Sequence, residues 1–176
     1  MEKGVRSVEH GNFLTIDTAK VMNDHDAHLV PTLVTYEADA KYGPSFGWNE
    51  ENSSKNAEVL SAGLTSLENA LSNNVNVGYG TDLCWSPKSY QGDGLLIHEK
   101  VCGAAEALRH CTLNNARIVR MEGKIGEITA GAHADLVVLD TNPLKSMNCF
   151  SQKSNSIVAV LQAGLPVRDD KLLFDW

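Results

Sequence analysis

Two short segments constrain this chain most, because each has the pattern of a strand that ends in a side chain able to bind a metal. Residues 5–11 run Val-Arg-Ser-Val-Glu-His-Gly and carry His10, and residues 76–82 run Asn-Val-Gly-Tyr-Gly-Thr-Asp and end in Asp82. In α/β barrels, functional side chains stand at the carboxyl ends of parallel strands. The two segments therefore predict that an imidazole and a carboxylate lie at the same edge of a parallel sheet.

Strand patterns and helix patterns alternate through the first two thirds of the chain. The clearest helix is Ser54–Asn73, in which Leu60, Leu64, Leu67 and Leu71 form one apolar face. The other predicted elements are, in chain order, strand 5–9, helix 17–26, strand 29–35, strand 75–79, helix 95–103 and helix 104–115. This order is typical of parallel βαβ units and predicts an α/β fold.

Two polar segments, Glu37–Asn56 and Cys84–Gly94, are predicted to be long loops. Each follows a predicted strand, so in a barrel each would face the substrate, and the first is a candidate lid. We expect substrate specificity to lie in these two segments.

The pattern changes near Arg117, where a β-rich tail begins. Strands are predicted at 134–140, 157–162 and 165–168, with a tight turn at Ala163-Gly164 between the last two. The sequence therefore predicts two parts, an α/β part at residues 1–116 and a small β-rich layer at residues 117–176.

The length and net charge of the chain exclude a complete barrel and several classes of binding partner. The chain has 176 residues, whereas a complete eight-stranded barrel needs roughly 250. A net charge of −7 argues against nucleic acid or an anionic membrane as the partner. The chain has no apolar run of about 18 residues, so no membrane span is predicted. The four cysteines show no CxxC spacing and are expected to be reduced thiols: Cys84, Cys102, Cys111 and Cys149.

The tail carries the most specific pattern. Residues 105–117 read Ala-Glu-Ala-Leu-Arg-His-Cys-Thr-Leu-Asn-Asn-Ala-Arg, and residues 123–143 contain Gly-Lys-Ile-Gly followed by Ala-Asp-Leu-Val-Val-Leu-Asp and Asn-Pro. Together they closely resemble the C-terminal signature of the amidohydrolase superfamily. Ser-Val-Glu-His-Gly at 7–11 resembles that family's sixth-strand histidine motif, and Gly-Thr-Asp at 80–82 its eighth-strand aspartate motif. The imidazolonepropionase- and prolidase-like branch is the most similar.

The resemblance implies about strands six to eight of a (β/α)8 TIM-like barrel, plus part of a small β-sandwich layer. It also implies a hydrolase acting on carbon–nitrogen bonds other than linear peptide bonds, with a small-molecule amide, cyclic amide or dipeptide-like substrate. His10 would be a metal ligand, and Asp82 would bind the metal and act as general base toward the hydrolytic water. A divalent metal is implied, with zinc favoured and manganese or iron also compatible.

Structural alternatives remain open for these residues. His10 could be a hydrogen-bonded core histidine, and Asp82 could be an Asx-turn or helix-cap residue. His25 and His28 are interpreted as a solvated face rather than a metal pair, and Glu99 as a carboxylate near a helix N-terminus. We expect structural roles for the remaining three candidates: His110, His133 and Asp135.

Departures from the family pattern decide what we expect of the chain alone. The family's metal centre also uses a His-x-His pair, a bridging Lys or Glu and a further His on earlier strands, and no His-x-His occurs here. We therefore expect a C-terminal fragment with an incomplete metal site and two open sheet edges. Its partner would be the missing N-terminal half or a second copy of the chain, in the cytoplasm. The alternatives are a catalytically dead module that acts by interaction or self-association, and a small α/β binding protein.

Overall fold

The computed structural model describes residues 2–84, 87–171 and 173–174. Its first sheet contains three parallel strands in the order β1 (Ser7–Glu9), β2 (His28–Val30) and β3 (Asn76–Val77). Ser7 pairs with His28, and His28 pairs with Asn76. The predicted parallel βαβ order is confirmed.

Helices connect and cover these strands. They are, in chain order, α1 (Ile16–Asp24), α2 (Leu33–Tyr42), α3 (Glu50–Ser72), α4 (Asp93–Cys102), α5 (Ala104–Arg109) and α6 (Asn115–Ile118). Short 3-10 turns lie at Gly43–Phe46, Lys88–Gly92 and Met147–Phe150, and a π-helical turn at His110–Asn114 joins α5 to α6.

The strand predicted at 29–35 is wrong beyond its first half. β2 ends at Val30, and the apolar residues from Leu33 onward begin α2. Pro31 explains the break, because it has no N–H to donate to a strand ladder. A short apolar run cannot be assigned to strand or helix from periodicity alone, and here Leu33 and Val34 are buried on a helix.

The long loop predicted at Glu37–Asn56 is also wrong. α2 continues to Tyr42 and α3 begins at Glu50, so only a short connection separates them. A capping box starts α3: the Asn49 side chain accepts from the Asn52 backbone N–H at 2.8 Å, and the Asn52 side chain accepts from the Asn49 N–H at 3.3 Å. The second predicted loop, Cys84–Gly94, includes residues 85 and 86, which lie outside the described residues, and then forms the turn at Lys88–Gly92.

The main core lies between the first sheet and α1–α3. Leu29 and Val77 from the strands, and Leu67 from α3, are almost fully buried in it. The other three leucines of the predicted apolar face, Leu60, Leu64 and Leu71, are partly buried against the same cluster. The helical periodicity of this segment is therefore confirmed, and it fixes α3 along the sheet.

A second, antiparallel sheet forms the tail, with strands β4 (Leu136–Leu139), β5 (Ile157–Gln162) and β6 (Leu165–Asp169) in that order. Ala163 and Gly164 both have positive φ in the tight turn between β5 and β6, as predicted. Asp135 accepts a hydrogen bond from the Ala163 backbone N–H at 2.8 Å, which confirms its structural role.

Glu99 joins the two parts of the chain. It lies in the second half of α4, and its carboxylate accepts from the Met147 backbone N–H at 3.2 Å. The interpretation of Glu99 as a group at a helix N-terminus is therefore wrong. Met147 is fully buried beside Leu95 and Ala107, so the carboxylate holds the start of the turn at Met147–Phe150 on a second apolar cluster.

Two histidines are buried in contact near this second cluster. Nδ1 of His98 and Nδ1 of His110 are hydrogen-bonded at 2.8 Å, and the two rings are nearly perpendicular. Burial lowers the pKa of His98 to about 3 and that of His110 to about 4. Both rings are therefore neutral in the folded chain at pH 7. In the hydrogen bond between them, one Nδ1 carries the proton and the other accepts it.

His28 is likewise buried, so its assignment to a solvated face is wrong, whereas its neighbour His25 is exposed. Nδ1 of His28 is hydrogen-bonded to the Asn76 side-chain amide at 2.8 Å across β2 and β3. Burial lowers the pKa of His28 as well.

Among the residues that the structure describes, no helix combines the length and apolar character needed to cross a membrane.

These buried histidines predict a loss of stability in mild acid. Their pKa is lower in the folded chain than the ordinary value of 6.5, so the unfolded chain binds more protons below pH 6.5. Stability is present in full above pH 6.5, and each of His98 and His110 should remove up to about 1.4 kcal/mol per pH unit between pH 6 and its own pKa. Urea unfolding at pH 7, 6, 5 and 4.5 measures this loss.

The exposed His133 supplies the control, and His133→Gln should leave the profile unchanged. An unfolding free energy that stays constant from pH 7 to pH 5 would contradict the neutral buried pair.

Candidate functional site

His10 follows directly from the end of β1. Its backbone N–H donates to Val30 O at 3.0 Å, which continues the ladder between β1 and β2 by one residue. The backbone then turns sharply, because His10 has φ 66° and Gly11 has φ 56°. A side chain at Gly11 would place its Cβ 2.5 Å from Leu29 Cδ1 and displace the end of this buried leucine, and glycine adopts the positive φ without strain.

Asp82 is positioned by the chain that continues from β3 and by two helices. The Asn115 side chain accepts from the Tyr79 N–H and donates to the Tyr79 carbonyl, both at 2.9 Å, and Asn114 donates to Val77 O at 2.8 Å. From α2, the Thr35 hydroxyl donates to the Asp82 backbone carbonyl at 3.0 Å. Asp82 itself has φ 48°, an uncommon conformation for a residue with a side chain.

The two predicted site residues come together at the carboxyl edge of the first sheet. Nε2 of His10 lies 3.8 Å from Oδ2 of Asp82, and each side chain is 46% exposed. The Cys84 thiol donates to Oδ1 of Asp82 at 3.3 Å, and this hydrogen bond raises the pKa of Cys84. The site is therefore open to solvent on one side and includes a thiol.

The second ring nitrogen of His10 has a hydrogen-bond partner in Thr32. Nδ1 of His10 is 2.7 Å from the hydroxyl oxygen of buried Thr32. Nearby, the Tyr36 hydroxyl donates to Oδ1 of Asn12 at 3.1 Å. The amide of Asn12 is fixed in turn by donation to Val59 O at 3.3 Å.

The Thr32 hydroxyl can accept from Nδ1–H of His10 or donate to an unprotonated Nδ1. When it accepts from Nδ1–H, Nε2 of His10 carries a lone pair and faces the Asp82 carboxylate. A lone pair and a carboxylate directed at the same small volume attract a cation or share a proton.

Two donors fall short of a catalytic metal centre on their own. A catalytic zinc ion is held by about three protein ligands. Within residues 2–84, 87–171 and 173–174, no group of three or more His, Cys, Asp or Glu side chains is arranged to hold a metal. The donor types fit such an ion, but their number does not, so a metal here would need donors beyond these.

Several polar residues that support the site have no signal of their own in the sequence. Thr32 lies within an apolar run that resembles a strand, and Thr35 and Asn12 lie in segments without a motif. Asn114 and Asn115, in contrast, lie inside the conspicuous Thr-Leu-Asn-Asn-Ala-Arg pattern, although the pattern does not indicate which strand they contact.

Comparison with known proteins extends over most of the chain. Residues 1–167 match the family model described as the amidohydrolase family. A 5-methylthioadenosine/S-adenosylhomocysteine deaminase from Acetivibrio thermocellus is 29% identical over 133 residues, which are 65% of this chain and 31% of the deaminase.

Solved structures match closely as well. A prolidase crystallised with N-methylphosphonate-L-proline superimposes with a TM-score of 0.89 at 42% identity, over 96% of this chain and 41% of the prolidase. A Xaa-Pro dipeptidase with bound methionine gives a TM-score of 0.82 at 24% identity, over 95% of this chain and 41% of its own, and supports the fold alone. The chain thus spans well under half the length of these relatives.

Metal binding through Nε2 requires the proton of neutral His10 to be on Nδ1, where Thr32 can accept it, and this predicts the effect of Thr32→Val, which keeps the side-chain shape and removes the acceptor. In the unchanged chain, ¹⁵N NMR of the His10 ring should show a protonated Nδ1 and an unprotonated Nε2. Loss of one hydrogen bond, worth about 1 kcal/mol, should reduce this preference roughly fivefold in the variant. Thr32→Ser should retain it.

Thr129→Val, at an exposed position, is the matched control and should leave the His10 resonances unchanged. A predominant Nε2–H tautomer in the unchanged chain would contradict the role of Thr32 as the acceptor from His10.

Proposed function

The chain belongs to the amidohydrolase family, and we propose that it forms the part of a metal-dependent C–N hydrolase that carries His10 and Asp82. In this proposal β1, β2 and β3 are strands six to eight of a (β/α)8 barrel. Residues 1–116 are the barrel part, and residues 117–176 contribute to a composite β layer.

The proposal assigns a role to each residue. His10 contributes an unprotonated Nε2 as a metal donor, and Asp82 contributes a carboxylate as a second donor and as the acceptor of a proton from the attacking water. Imidazole and carboxylate suit zinc, which we favour, and also manganese or iron. The observation that carries the proposal is the 3.8 Å approach of these two groups at the carboxyl edge of a parallel sheet.

For the substrate we favour a small amide of the dipeptide type. The support is the prolidase, which is 42% identical over 96% of this chain, whereas the deaminase is 29% identical over 65%. The same C–N hydrolysis applied to an amino-purine would give a deaminase, so this second substrate class is tested beside the first.

The remaining donors would come from polypeptide that adds to β1. The outer edge of β1 has no strand partner within the described residues, and a free edge can pair with a further strand. The missing N-terminal half of a barrel is the partner that we propose, and a second copy of the chain is the alternative. If no partner supplies further metal ligands, the chain is a catalytically inactive module that acts by interaction with other proteins or with itself.

A cytoplasmic location is part of the proposal. Its support is that all four cysteines are free thiols, as is usual in a reducing compartment.

Complementation tests the proposal. The chain should be purified alone and after co-expression with the N-terminal part of the prolidase relative, then assayed for metal content and for hydrolysis of a Xaa-Pro dipeptide and deamination of 5-methylthioadenosine. We expect metal and turnover only in the reconstituted complex, with dipeptide preferred. His10→Asn and Asp82→Asn in the complex should each reduce turnover by about a hundredfold or more.

His133→Gln is the matched control and should retain activity. Stoichiometric metal and turnover in the chain alone would contradict the need for a partner. Equal metal content and activity in the His10→Asn and Asp82→Asn complexes would contradict the assigned site, and an inactive, metal-free complex would leave the interaction module as the function.

A further inference from the structure

A cavity of about 560 Å³ lies between α2, α4 and residues 148–153, and neither His10 nor Asp82 lines it. Its size is in the range of small-molecule sites. It is unusual for this chain because three lysines line it, Lys41, Lys100 and Lys153, although the chain carries a net charge of −7.

Lys41 is held at the wall of this cavity. Its ammonium group donates to the Tyr90 hydroxyl at 2.6 Å and lies 5.2 Å from the centre of the Tyr42 ring. This contact lowers the pKa of Tyr90, which is itself buried. The position of the Lys41 ammonium group is thus fixed, since two aromatic rings and one hydrogen bond restrain it.

Two carboxylates also line the cavity, and one of them already accepts two hydrogen bonds from the protein. Asp93 accepts from the Gln152 backbone N–H at 2.9 Å and from the Gln152 side-chain amide at 2.8 Å. Glu37 is exposed. Neither Lys100 nor Lys153 forms an ion pair with any residue that the structure describes, so the lining retains an excess of positive charge.

Ser151 places a buried hydroxyl at the wall of the cavity. It lines the cavity, is only 8% exposed, and its Oγ has no hydrogen-bond partner among the described residues. A buried hydroxyl without a partner costs free energy, so native structures usually satisfy it. As the side chain stands, this Oγ has almost no accessible surface, so it would donate to an oxyanion in the cavity, beside the lysine ammonium groups, after rotation about χ1.

We propose that this cavity binds a phosphate group, either as inorganic phosphate or as the phosphomonoester of a small molecule. Lysine ammonium groups bind phosphate as point charges, and a tetrahedral dianion can accept hydrogen bonds from several directions. The donors here come from three separate elements and include no planar guanidinium, which a carboxylate ligand would favour.

Calorimetric titration of the full chain at constant ionic strength tests the proposal, with inorganic phosphate and glycerol 3-phosphate as probes and chloride as reference. We expect saturable binding of at least one phosphate probe. Lys100→Gln with Lys153→Gln should weaken it by about tenfold or more. The control is Lys88→Gln, at an exposed position outside the cavity, which should bind as the unchanged chain does.

Ser151→Ala separates a ligand site from a structural role. Without phosphate the variant should unfold at the same or a higher temperature, because an unpaired buried hydroxyl is removed, whereas its affinity for phosphate should fall. Stronger binding of glycerol 3-phosphate than of phosphate identifies an ester as the ligand, and the reverse identifies free phosphate. Binding that is absent, matched by chloride, or equal in the lysine and Ser151 variants overturns the proposal.

Discussion

Backbone pairing between β2 and its two parallel neighbours is the constraint on which the rest of the structure depends. Val30 O accepts from His10 N–H, and Leu29 O accepts from Gly78 N–H. The central strand thus fixes the register of both neighbouring segments. Because all three strands run the same way, their ends meet at one edge and bring His10 and Asp82 within 3.8 Å. A shift in either register would separate the two groups and remove the site.

The most specific sequence pattern in the chain contains residues that hold the backbone in place. Asn114 and Asn115, within the signature helix, bond to the backbone of residues 77 and 79 rather than to a ligand. The π-helical turn immediately before Asn115 adds a residue to the helical repeat, and such turns often occur near functional sites. A family signature can therefore mark the residues that hold a site in place and not those that react.

The parallel sheet, the apolar face of α3, the β-rich tail and the pairing of His10 with Asp82 could all be predicted, because each depends on a periodicity or on the fixed direction of parallel strands. The start of α2 could not, since the apolar run through Pro31 has no period that separates strand from helix. Nor could Thr32: its contact with His10 joins residues 22 apart and depends on how β2 ends. The burial of His28 was missed for a similar reason, because its partner Asn76 is supplied by another strand.

The asparagine contacts on β3 also limit how this chain can assemble. Gly78 N–H faces β2, so the backbone groups of Val77 and Tyr79 face outward, where Asn114 and Asn115 already occupy three of them. Within the part of the chain that the structure describes, the β1 edge of this first sheet remains without a strand partner. A sheet with two available edges can polymerise without end, whereas one with a single available edge stops after one addition, and two copies meeting there would close about a two-fold axis. In the first sheet, side-chain amides thus direct any added strand to the β1 edge and away from β3.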